Sequence, residues 1–131
     1  MHNGKQKKSP LTGFTLVELL VVLSILALLL SLAVPRYFNS LERAKEATLK
    51  QDLSTMRDSI DKYYADKGLY PNSLEELVEQ RYMNKLPVDP ITDSASTWVV
   101  IPPEPPLEGQ VFDVQSGATG TAKDGSQYAT W

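Results

Sequence analysis

The chain is predicted to adopt an α+β fold in which one long N-terminal helix, apolar over its first half, packs under a small antiparallel β-sheet domain. Three observations predict it. Residues 14–34 form an apolar run carrying a single charge, Glu18. Leu49, Leu53, Met56, Ile60 and Tyr63 then recur at spacings of four and three, the stripe of an amphipathic helix. Beyond Pro87 the pattern changes to short β-branched and aromatic runs separated by proline and glycine, the signature of strands and turns.

The apolar run is long enough, at about 1.5 Å of rise per residue, to cross a hydrocarbon core of about 30 Å. Lys5, Lys7 and Lys8 precede it, so the positive-inside rule keeps the leader cytoplasmic and sends the C-terminal part outward. This divides the chain into a leader at 1–13, a membrane or filament-core helix at 14–35 and a globular α+β domain at 36–131. Pro35 lacks the amide that would bond to the Ser31 carbonyl, which predicts a kink or local loosening before the helix resumes. Gly68 is the expected stop, giving an element of roughly 80 Å if it is continuous.

A second, short helix follows. Ser73-Leu74-Glu75-Glu76 has capping-box spacing, and Leu74, Leu77, Val78 and Tyr82 form its core-facing side. Residues 97–101 and 109–115 are the expected strands, with Pro102-Pro103-Glu104-Pro105-Pro106 bounding a rigid connection between them. On the long helix, Glu46 with Lys50 and Asp58 with Lys62 have the acid-before-base spacing of a solvated face and are assigned no recognition role.

Composition narrows the function. The chain has 131 residues and no cysteine, which excludes disulfides, thiolate metal sites and a cysteine nucleophile. The formal net charge is −3, and removing the leader's three lysines leaves 10 Lys plus Arg against 16 Asp plus Glu, a balance of −6. Nucleic acid is therefore not an expected partner. The one histidine, His2, lies in the leader, and no pair of acids has catalytic spacing, so the chain is expected not to be an enzyme.

Glu18 is the residue that needs an explanation. A carboxylate in lipid has to be neutralised or paired, and no Lys or Arg lies between residues 14 and 35. A new chain terminus would serve. A cut after Gly13 would expose the Phe14 α-amino group, cationic near neutral pH with an ordinary pKa of about 7.7 to 8.0, within one helical turn of Glu18. An ordinary secretory signal cut after Ser31-Leu32-Ala33, or a plain single-pass anchor, are the alternatives, and both leave the order Gly13-Phe14-Thr15-Leu16-Val17-Glu18 unexplained.

That order, with a basic leader before it and an aliphatic run ending in Pro35 after it, resembles the cleavage and methylation signature of type IV prepilins and type II secretion pseudopilins. The resemblance implies a type IV pilin-like fold, cutting between Gly13 and Phe14 by a prepilin peptidase, N-methylation of Phe14, and a Glu18 that docks against the Phe14 amine of a neighbouring subunit. Tyr70-Pro71, Leu86-Pro87, Asp89-Pro90, Phe112-Asp113-Val114, Ser116-Gly117-Ala118 and Trp131 extend it to the major pseudopilin family of type II secretion systems. It then implies a homopolymer joined by minor pseudopilins, built on an inner-membrane assembly platform as a periplasmic filament that drives export of folded proteins. A type IV pilus subunit is the alternative, although the common type carries a C-terminal cysteine pair.

Major pseudopilins also imply a calcium-bearing C-terminal loop, for which Asp124 and Asp113 are the carboxylate candidates. Thr119 stands where that pattern has an acid. The other reading of the same loop is a plain turn with Asp124-Gly125 at its corner, closed by Tyr128 and Trp131.

Overall fold

The computed structural model describes Gly13 and residues 15–131. They fall into two compact units, one ending at Ser40 and one spanning Leu41–Trp131. Helix α1, Leu16–Lys67, contributes to both. The helical backbone continues through Pro35 without a break, so the expected loosening does not interrupt the element, and what the proline removes is an amide for the Ser31 carbonyl. Gly68 ends the helix as predicted. Its φ of +76° is left-handed, and its amide donates to the Tyr64 carbonyl at 2.8 Å, closing the αL cap that glycine permits at no steric cost.

In the first unit the aliphatic side chains of α1 are exposed all round the helix, from 80% at Leu16 down to 43% at Val22 and Val34. Among the described residues this is the one helix long and apolar enough to cross a membrane. In the second unit the predicted stripe is buried: Leu49, Leu53, Met56 and Ile60 are almost wholly inaccessible, and Tyr63 nearly so. They pack with Leu74, Leu77, Trp98, Val111 and Val114 in one cluster.

Helix α2, Leu74–Glu79, begins at the predicted cap, with the Ser73 hydroxyl accepting the Glu76 amide at 3.2 Å. The return arm differs from a standard capping box. Glu76 Oε2 accepts the Asn72 amide at 2.7 Å, and Oε1 accepts the Tyr63 hydroxyl at 2.6 Å, so one carboxylate ties α2 to α1. The Tyr63 hydroxyl and then the Asn72 amide hold the Glu76 carboxyl below its ordinary value, against the opposing effect of burial. The same bond, with burial behind it, pushes the Tyr63 phenol up to about 12.

The sheet is smaller than predicted. Strand β1 is Val99–Ile101 and strand β2 is Asp113–Gln115, antiparallel, with Val100 opposite Val114. Phe112 still donates its amide to the Ile101 carbonyl at 2.7 Å, but residues 109–111 fall out of β2 because their hydrogen bonds are spent elsewhere. The amides of Gln110 and Val111 both donate to the Pro71 carbonyl, and Tyr70 donates to Glu108, so this segment pairs with the Tyr70-Pro71 turn. Gly109 permits that approach, since a Cβ there would lie 2.2 Å from the Tyr70 carbonyl oxygen. At the other end Trp98 is drawn inward, its indole donating to the Pro87 carbonyl at 2.9 Å.

Asp89 is wholly buried and joins two of the motifs that the sequence separates. One carboxylate oxygen accepts the amides of Ile91 and Thr92, and the other accepts the Ser116 hydroxyl, which in turn accepts the Ala118 amide. Gly117 lies between these two residues against the 97 backbone: a Cβ would sit 2.1 Å from the Thr97 carbonyl oxygen. A carboxylate buried this way is tolerated because it is fully hydrogen-bonded.

Two outcomes follow for unfolding of the detergent-solubilised chain. Glu76→Ala is expected to lower stability by about 2 kcal/mol, as a cap and a charged acceptor are lost together. The depressed carboxyl contributes fully above its unfolded value of 4.5 and loses the contribution as pH falls through the lower folded value, so the gap between wild type and variant should be constant near neutrality and close in acid. A gap that widened in acid would contradict the bond. Gly117→Ala should cost roughly 2 kcal/mol or more through overpacking, and an unchanged denaturation midpoint would refute the close approach to Thr97.

Candidate assembly site

The site that the sequence singles out begins at Gly13 and ends at Glu18. Phe14, the predicted cleavage and methylation residue, lies outside the described residues, as does the leader before Gly13. From Thr15 onward the geometry is defined. The Thr15 carbonyl accepts the Leu19 amide at 3.0 Å, and its hydroxyl accepts the Glu18 amide at 3.1 Å, so Thr15 is the N-cap of α1 and Glu18 lies in its first turn. The positive end of the helix dipole favours a carboxylate at that place, which is a local reason for an acid there besides any intermolecular one. Thr15-x-x-Glu18 is a capping-box spacing, legible in the sequence but hidden by reading Glu18 only as a charge in lipid.

Behind this cap, Ser24 and Ser31 turn their hydroxyls back onto the helix, donating to the carbonyls of Leu20 at 2.8 Å and Leu28 at 2.6 Å. Both polar groups are thereby satisfied within the segment, which suits a helix surrounded by lipid or by other helices. What the site offers chemically is one carboxylate on an aliphatic cylinder. It can bind a cation and fix a register.

The two carboxylates assigned to the C-terminal loop are not brought together around a common ligand. Asp113 Oδ1 is ion-paired with the Arg57 guanidinium at 2.8 Å and also accepts the Val114 amide. Asp124 closes a turn on itself, with Oδ1 accepting both the amide of Ser126 at 2.9 Å and its hydroxyl at 2.6 Å. Those two bonds hold the Asp124 carboxyl below its ordinary value. Among the described residues there is no group of three or more His, Cys, Asp or Glu placed to hold a metal ion.

The residues that do organise this loop come from α1 and were not singled out as sites. Glu46 accepts the Lys123 amide at 3.0 Å, while Glu42 pairs with the Lys123 ammonium at 3.3 Å. Lys50 lies 4.6 Å from the centre of the Trp131 ring. The expectation that Glu46 and Lys50 form only a solvated helix face is therefore corrected: both reach across to the loop. The other reading of the tract, a turn cornered at Asp124-Gly125 and closed by Tyr128 and Trp131, matches the geometry. Gly125 has a φ of +90°, and the two aromatic rings meet edge to face at 5.2 Å.

Comparison with known proteins places these features. A family described as the prokaryotic N-terminal methylation motif matches residues 12–34. The type II secretion system core protein G of Pseudomonas aeruginosa is 35% identical over 95 residues, covering 60% of this chain and 67% of that protein. The protein of the same name from Klebsiella pneumoniae is 30% identical over 135 residues, covering 91% of this chain and 93% of its own length. The fimbrial protein EcpC of Eikenella corrodens is 29% identical over 122 residues, 87% of this chain and 77% of that protein. No solved structure matches significantly. With an apolar N-terminal helix, a small antiparallel sheet and a 30% identical relative matched over 93% of its length, the chain has a type IV pilin-like fold and belongs to the type II secretion system core protein G family.

Proposed function

We propose that this chain is a noncatalytic structural subunit of the periplasmic pseudopilus of a type II secretion system, held by its apolar helix in the inner membrane before assembly. A prepilin peptidase removes residues 1–13, Phe14 is N-methylated, and the subunit polymerises with copies of itself and with minor pseudopilins on an inner-membrane platform. The observation that carries the reading is the Gly13-Phe14-Thr15-Leu16-Val17-Glu18 order set directly before a helix whose aliphatic side chains are exposed on every side. Such a surface is stable in lipid, and equally stable when neighbouring helices replace the lipid.

The step from membrane to filament changes apolar surroundings for apolar surroundings, so the hydrophobic effect contributes little to it. Selection of one register has to come from something polar. Glu18 is the only charge between residues 14 and 35, and a Phe14 amine freed by processing is its natural counter-ion. Pairing in a medium of low dielectric penalises every register in which that carboxylate stays unmatched.

A type IV pilus subunit is the second reading, favoured by the likeness to the Eikenella corrodens fimbrial protein. Deleting the gene separates the two. Lost export of folded proteins with surface pili retained supports secretion, and the converse supports a pilus.

Mass spectrometry of purified filaments should find a chain beginning at Phe14 and heavier by one methyl group. A mature protein beginning at Val34 would overturn the processing assignment in favour of an ordinary signal sequence. Glu18→Ala should leave membrane insertion intact, because it lowers the transfer cost of the helix. Filament yield at native expression should fall about tenfold or more, the equivalent of one charge-assisted bond per subunit. Wild-type yield from that strain would show that register is set elsewhere.

A further inference from the structure

The loop of residues 118–131 is where the family resemblance and the geometry part company. Calcium takes six to eight oxygen ligands, with carboxylates supplying most of the charge. Here Thr119 replaces one acid of the implied pattern, the Asp113 carboxylate is taken by Arg57, and Asp124 is committed to Ser126. The residues present do not fit the ion.

The same loop nevertheless carries cations of its own. Glu42, Glu46, Lys50 and Arg57 follow one another on α1 at spacings of four, four and seven, which puts all four on one side of the helix beside the buried stripe. Arg57 donates through Nε to Asp113 and through Nη2 to the carbonyls of Val114, at 2.9 Å, and Trp131, at 2.7 Å. Lys50 covers the Trp131 ring, and the indole of Trp131 donates to the Ser126 hydroxyl that Asp124 holds. Glu46 and Glu42 hold Lys123, directly before Asp124. A guanidinium bridging one carboxylate and two carbonyls gathers the kind of oxygen ligands that a bound cation would gather.

We propose that closure of this loop is independent of calcium, and that the polar stripe of α1, with Arg57 and Lys50 as resident cations, does the work that the resemblance assigns to the metal. The proposal goes beyond the filament role and stands whether the filament serves secretion or a pilus.

The test uses the full chain in detergent, with about 1 mM CaCl2 or with EGTA, a concentration that would load sites of the weaker extracellular class. Thermal melting and amide hydrogen exchange across residues 118–131 are both read. The melting midpoint is expected to agree within about 1 °C between the two conditions, with equal loop protection. Glu46→Gln and Lys50→Met should each speed exchange of loop amides by about two- to fivefold, the worth of one partly exposed polar contact, equally with and without calcium. Glu46 is half-buried and Lys50 exposed, and neither belongs to the buried core cluster, so neither change removes core packing. A midpoint raised several degrees by calcium, or loop amides protected only in its presence, would overturn the proposal. Unchanged exchange in both variants would overturn it as well, because the stripe would then not be what closes the loop.

Discussion

Every other element of the globular unit depends on the buried stripe of α1. Two strands of three residues and a helix of six are each too short to hold their shape in water or to bury a face of their own. Leu49, Leu53, Met56, Ile60 and Tyr63 supply the missing surface, and α2, β2 and the 110–111 segment are ordered by lying on it. This also explains how a small domain without a cysteine stays folded: a long helix supplies one preformed wall of the core, so the remaining segments have only to cover it.

Polar contacts then decide how that covering is arranged. Three side chains of α1 reach out from the margin of the stripe and each fixes a different segment: Tyr63 holds α2 through Glu76, Ser59 donates to the Tyr82 carbonyl at 3.1 Å, and Arg57 holds β2 and the C-terminal residues. Apolar packing is non-directional and would accept several placements of such short segments. A buried or half-buried hydrogen bond accepts far fewer, because a misplaced partner leaves a desolvated group unmatched.

The fold was legible where its cause is local. Helix α1, its glycine stop, the Ser73 cap and the membrane-length run all follow from spacing and single-residue chemistry, and each is found at or within a residue or two of its predicted place. The failures are contacts between distant segments. Alternation in residues 109–115 reports a strand-like backbone but not its partner, and half of that segment pairs with Tyr70-Pro71 instead of β1. Glu46 and Lys50 have the spacing of a mutual pair, and nothing in that spacing reveals that a loop more than seventy residues away competes for them. At the candidate assembly site the isolation of Glu18 is plain in the sequence, and so is the Thr15-x-x-Glu18 spacing that makes Thr15 the cap of α1.

The two halves of α1 thus illustrate opposite uses of one charge pattern. In the first, Glu18 is the only charge between residues 14 and 35, on an aliphatic surface, and under the proposed pairing its counter-ion is a Phe14 amine freed by processing. In the second, two acids and two bases follow one another along the edge of the core, and the loop they face meets them from the same chain, through the Lys123–Glu42 pair at 3.3 Å and the Arg57–Asp113 pair at 2.8 Å. An unmet charge in an apolar setting favours association, since only a partner relieves it. A charge already matched does not, so in the proposed filament association is driven from the Glu18 end of the helix and not from the stripe beside the core.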